Sequence, residues 1–160
     1  MQTASIALHD DPAQHFVLRL ADTCLIHSQR LAEWCGHAPV LEEDIALANM
    51  ALDLLGQARA LLTHAGAMGA RESGEVQDED QLAFLRDERA FRNVTLAELP
   101  RGDFAFAVLR NLLLATWLRH YWQRLATSCD AELAAIAGKA AKEARYHQQH
   151  AADWVVRLGD

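Results

Sequence analysis

Proline appears only three times in this 160-residue sequence, aromatic residues make up 7 % of it, and β-branched residues are sparse. A chain so poor in helix breakers and strand formers, and so rich in Ala and Leu, is expected to be all-α. Basic residues are also in short supply: 15 Lys and Arg stand against 22 Asp and Glu, a formal charge of -7. That balance argues against nucleic acid as a generic partner, because phosphate backbones are gripped by basic surfaces. The N-terminus has neither a basic n-region nor an apolar h-region, and no stretch approaches the length of a membrane span. The expectation is therefore a soluble, cytoplasmic protein with no membrane partner. Cys24, Cys35 and Cys129 are odd in number, far apart and without a C-x-x-C pair, so they are expected as reduced thiols. A Gly-rich phosphate loop, a Walker motif and a nucleophile elbow are all missing.

What is present reads as helix. Apolar residues make up 51 % of the sequence, enough for residues 1–160 to bury one core as a single domain. Residues 1–11 are expected to be a flexible N-terminus. Asp11-Pro12-Ala13-Gln14 marks a helix start, with Asp11 as cap, Pro12 at the first position and Gln14 completing a capping-box pattern. Val17, Leu20, Cys24, Leu31 and Cys35 continue the stripe until Gly36 and Pro39, with His27 and Ser28 interrupting it. A second helix opens on Glu42, Glu43 and Asp44, acids that suit the positive end of a helix dipole. It is expected to reach about Ala65 and is apolar on nearly all sides, so neighbours should flank it on more than one side.

Residues 66–102 break the pattern. Ala67 to Glu79 reads as a mobile, Gly- and acid-rich loop, Asp80 to Asn93 as one or two short helices, and Leu99-Pro100-Arg101-Gly102 as a turn. Asp103 caps a third long helix, about Phe104 to Thr127. Asp130 opens a fourth, with a stripe of Leu133, Ile136 or Ala137, Ala140, Ala144, His147, Ala151, Trp154 and Leu158. Short loops make antiparallel hairpins of helices one and two and of helices three and four. The segment between the hairpins, roughly 35 residues, is long enough to travel the length of a helix. Two hairpins joined by one long crossover is the ferritin-like four-helix arrangement.

Bundles of that kind hold two irons with a Glu from each of two helices and a Glu-x-x-His from each of the other two. Carboxylates and imidazoles suit iron, and i, i+3 spacing points both ligands the same way. In the fourth helix, with His147 at the His position, Ala144 stands where Glu belongs. Glu143 is one residue off, about 100° around the helix. In the second helix Asp53 is a shorter carboxylate and Gly56 replaces His. The first helix offers His27 rather than Glu, and the third has no acid between Phe104 and Thr127. His27, Asp53, Gly56, Glu143, Ala144 and His147 are thus vestigial positions of a metal site, with no metal and no catalytic residue assigned.

Each has a plainer reading. Asp53, with Asn49 and Gln57 four residues away, can be the solvated edge of its helix. His147, on the core stripe, reads as a hydrogen-bonded core histidine before it reads as a ligand. Glu143 can pair with Lys139, His147 or Arg110 in an ion network filling the space of a metal pair. His27 is most simply a helix-face histidine, and Trp117, Tyr121 and Trp122 core or interface.

The segments LRLADTCLIHSQRLAEWCGHAPVLEEDIALANMALDLLGQAR, LAFLRDERAFRN and KEARYHQQHAADWVVRLGD resemble the C-subunit family of the bacterial phenylacetyl-CoA oxygenase (epoxidase) complex. The resemblance runs from about Phe16 to Asp160, and EWCGHAP, LANMALDLLGQAR, DERAF and KEARYH are its most specific strings. It implies a ferritin-like fold and a non-catalytic structural subunit in aerobic phenylacetate degradation. The complex adds one atom of O2 across the ring of phenylacetyl-CoA to give an epoxide. The implied partners are the homologous A subunit, which carries the di-iron centre, and other subunits. Among them is a reductase using NADPH, flavin and an Fe–S cluster. A homodimer is a further implied assembly. Members of the family continue with further C-terminal helices, which suggests that this sequence is a truncated form. Two other readings of the residues stand beside it. One is an independent ferritin-like metal-binding protein or oxidase using His27, Asp53, Glu143 and His147. The other is a bundle with a ligand cavity where metals would sit.

Overall fold

The computed structural model describes Ile6, Leu8 and residues 11–159; most of the expected flexible N-terminus lies outside the described residues. The described chain is all-α, built on four long helices: α1 (Pro12–Ala32), α2 (Leu41–Ser73), α5 (Phe104–Leu125) and α6 (Ala131–Gly159). Between α2 and α5 lie the short helices α3 (Glu79–Phe84) and α4 (Thr95–Glu98), with a 3-10 turn at Glu88–Ala90. Asp11 caps α1 by accepting from the amides of Ala13 and Gln14, and Asp103 and Asp130 cap α5 and α6 through the amides of Phe106 and Leu133. These side-chain oxygens satisfy amides that have no partner within the helix.

Gln14 departs from its expected role. Instead of closing a capping box, its side chain is buried and donates to the Ala65 carbonyl at 2.9 Å, so α1 is fastened to α2 at this end. The larger correction concerns α2, which does not stop near Ala65 but runs on to Ser73 and ends at Gly74. Gly74 has φ 77°, and its amide bonds the Ala70 carbonyl; the left-handed conformation that closes a helix this way suits glycine. Gly66 and Gly69 lie inside the helix because neighbours press on it. A Cβ at Gly66 would sit 1.8 Å from the Gln77 carbonyl oxygen, and one at Gly69 would sit 2.5 Å from Gln14 Nε2. So the glycines that read as a loop are clearance for other parts of the chain.

By length and composition α2 is a helix long and apolar enough to cross a membrane, contrary to the expectation that no such stretch exists. In the fold it packs against α1 on one side and α6 on another. Leu47, Met50, Leu54, Ala58, Leu61 and Ala65 are buried, whereas Leu41, Ile45, Leu52 and Leu55 remain exposed.

Each hairpin packs tightly within itself, α1 on α2 and α5 on α6. The crossover runs along α1 from its beginning to its end. Glu79 meets Arg59 and Thr63, Arg86 and the Arg92 amide meet Asp22, Arg30 reaches the Glu98 carbonyl, and Arg101 reaches that of Glu33. Consequently α5 enters beside the end of α1, where Phe104 packs edge-on against Trp34 and Trp154. It leaves beside the beginning of α1, where Tyr121 stacks on Phe16. Helices α2 and α5 therefore run the same way, and α1 and α6 run opposite to them.

Candidate functional site

At mid-height the apolar stripes of the four long helices give way to polar side chains. His27 on α1 is buried, not on an outer face, and its Nε2 lies 3.0 Å from Asn111 Oδ1 on α5. An amide oxygen only accepts, so the imidazole proton sits on Nε2, and Nδ1 is left buried without a partner. The Asn111 amide donates in turn to Met50 Sδ at 3.5 Å. Burial pushes the His27 pKa down to about 4 against the opposing Asn111 hydrogen bond, and the positive charge of Arg110 and a charged His147 add to the lowering.

A second chain of bonds crosses from α1 through α2 to α6. Cys24 Sγ faces Gln57 Oε1 at 3.6 Å, and Gln57 Nε2 donates to Glu143 Oε2 at 2.8 Å. Lys139, one turn away, stands 3.7 Å from the other Glu143 oxygen. Burial raises the Cys24 pKa, and the Glu143 charge adds to the rise. Beside this chain His147 Nε2 lies 3.0 Å from Asp53 Oδ2. His147 is held below the ordinary histidine range by burial, which outweighs the hydrogen bond and charge of Asp53. It is therefore neutral at pH 7 and donates to the carboxylate. Farther along the α2–α6 seam, His64 meets Asp130 at 2.8 Å. His150 faces Glu43 at 2.9 Å without hydrogen-bond alignment.

The structure thus brings His27, Asp53, Glu143 and His147 to one level, and Ala144 is buried among them. Gly56 is not: it is exposed on the outer edge of α2, and a Cβ placed there would meet nothing within 4 Å. Asn49 is exposed as a solvated edge requires, but Gln57 is buried and belongs to the interior. Arg110 does not join Glu143. It donates to the carbonyls of Leu99 and Pro100 and lies over the Phe106 ring. Of the aromatic residues on α5, Trp122 is core, whereas Trp117 and Tyr121 are half-buried.

Asn111, Gln57 and Cys24 are the members that sequence reasoning missed. The available signals were an amide in the otherwise apolar run of α5, and a second polar residue four positions from Asp53. Against a di-iron donor set the residues do not fit. Among the described residues no three or more His, Cys, Asp or Glu side chains form a metal-holding group. The His147 proton is turned toward Asp53, Glu143 takes the Gln57 amide, and α5 supplies Asn111 in place of a carboxylate. Imidazole and carboxylate are directly paired where a metal would need their lone pairs free.

The whole chain, residues 1–160, matches the family model described as phenylacetic acid catabolic protein. It is also 52% identical over 145 residues to the C subunit of the 1,2-phenylacetyl-CoA epoxidase of Escherichia coli (strain K12). That match takes in 91% of this chain and 56% of the relative, so the chain spans little more than half of the relative's length. The chain belongs to the phenylacetic acid catabolic protein family.

Proposed function

We propose that this chain is a non-catalytic structural subunit of a phenylacetyl-CoA epoxidase, supporting a catalytic A subunit that carries the di-iron centre. The observation that supports this most directly is the polar cluster at the centre of the bundle, where the donors that would hold a metal are spent on one another. The similarity to the C subunit of an epoxidase supplies the complex to which such a protein would belong. In this reading two hairpins joined by a crossover form a single ferritin-like domain. The redox cofactors, di-iron, NADPH, flavin and Fe–S, reside in other subunits. The reading also places the protein in the cytoplasm.

Co-expression with the catalytic A subunit tests it. The expected outcome is a stable complex in which substoichiometric iron, if any, is traced to this chain. Absence of any complex with the full-length protein sinks the proposal. Near-stoichiometric iron or manganese on the isolated chain would instead favour an independent metalloprotein using His27, Asp53, Glu143 and His147.

A further inference from the structure

A groove of about 620 Å³ lies where the crossover passes over the first turns of α1, lined by Pro12, His15, Phe16, Arg19, Phe91, Arg92 and Asn93. On a chain with a formal charge of -7, its lining among the described residues contains two arginines, a histidine and no acid. Among the described residues, neither the Arg19 nor the Arg92 guanidinium makes an ion pair or a hydrogen bond.

The fold builds this groove at some expense. Asp22 and Arg86 form an ion pair with both side chains fully buried, an arrangement that costs desolvation and needs every lone pair used. Asp22 also accepts the backbone amide of Arg92 at 2.9 Å, and the Arg86 guanidinium lies 4.3 Å over the Phe91 ring. The Thr23 hydroxyl takes the next amide but one, that of Val94, at 3.2 Å. The segment Phe91-Arg92-Asn93 is therefore anchored to α1 through its backbone and the Phe91 ring, while the Arg92 side chain is exposed. Two uncommitted guanidiniums line this one groove, one of them carried on an anchored backbone, and such groups suit an anion.

We propose that this groove binds a small phosphorylated ligand of nucleotide type. Arg19 and Arg92 take the phosphates, and the apolar surface of Phe16 and Phe91 lies against the flat ring. Its volume falls in the class of small-molecule and cofactor sites and exceeds what a lone anion needs. Phosphate is the group that a pair of planar guanidiniums grips best. This proposal is independent of the subunit role above.

Calorimetric titration of the full chain with ADP, pyrophosphate, adenosine and a poly-glutamate peptide tests it. ADP is expected to bind with submillimolar affinity and pyrophosphate more weakly, with adenosine showing no heat. Binding should weaken as salt rises. Arg19→Gln and Arg92→Gln should each weaken ADP at least tenfold, whereas Arg145→Gln on the exposed face of α6 should not change it. Arg92→Gln keeps the backbone bond to Asp22, so unchanged thermal unfolding separates lost binding from lost folding. No ADP binding at millimolar concentration, or binding that both groove variants leave intact, overturns the proposal. Binding of poly-glutamate in preference to ADP also overturns it, in favour of an acidic protein partner.

Discussion

Asp22 of α1 and Arg86 of the crossover form an ion pair with no exposure of either side chain, and Arg86 donates to the second Asp22 oxygen at 3.1 Å. The Arg86 Nε donates to the Leu82 carbonyl as well. One buried carboxylate thereby secures α3, the 3-10 turn and the Arg92 amide against α1. Asp22→Ala leaves the Arg86 charge buried and unpaired. It should cost about 3–5 kcal/mol in equilibrium urea unfolding, the usual penalty for breaking such a pair. A double change, Asp22→Leu with Arg86→Met, should cost less than the single one. A double variant as unstable as Asp22→Ala would show that the backbone bond to Arg92, rather than the orphaned charge, dominates.

The buried histidines set an acid limit. Folding lowers the pKa of His27 from 6.5 to about 4 and that of His147 in the same direction, burial being the first cause of each. The folded state disfavours the protonated forms, so the chain keeps its full stability above pH 6.5 and loses it as pH falls from there toward 4. For His27 alone the shift corresponds to a loss on the order of 3 kcal/mol. Denaturant unfolding at pH 7 and pH 4.5 should show the drop, and His27→Gln should flatten it. An unchanged slope in that variant would assign the acid sensitivity elsewhere.

Glycine substitutions should divide by neighbourhood. Alanine is ordinarily better in a helix by about 0.5–1 kcal/mol, and Gly56→Ala and Gly138→Ala, which meet nothing within 4 Å, should raise the melting temperature. Gly66→Ala meets the Gln77 carbonyl at 1.8 Å and should lower it, by about 1–3 kcal/mol of overpacking. Calorimetry on the three variants checks the sign of each.

The three cysteines should separate in reactivity. Cys24 is buried, and burial raises its pKa, whereas Cys35 and Cys129 are exposed free thiols. Only a thiolate attacks readily. Native protein treated with iodoacetamide should therefore carry two labels by mass spectrometry, and the third should appear only on denaturation. Fast labelling of Cys24 in the native state would mean that the core around Gln57 opens.

Helix identity was legible because its causes are local. Asp11, Asp103 and Asp130 cap where their positions beside the apolar stripes say they should. The stripe Leu133, Ala137, Ala140, Ala144, His147 and Ala151 is buried on α6. The reach of α2 was not legible, because Gly66 and Gly69 look like breakers until Gln77 and Gln14 are seen pressing against them.

By itself the sequence determined that the chain is helical, where its long helices begin, and that α1–α2 and α5–α6 pair through short loops. It also determined that α5 brings no carboxylate to the centre. These follow from composition, caps and connection lengths, all of which act over a few residues. Only the tertiary structure decided how the remaining polar groups are used. His147 pairs with Asp53 over a separation of 94 residues, Glu143 with Gln57 over 86, and His27 with Asn111 over 84. No periodicity along one helix specifies such pairs; they form where four helices meet and each buried polar atom must find a partner there.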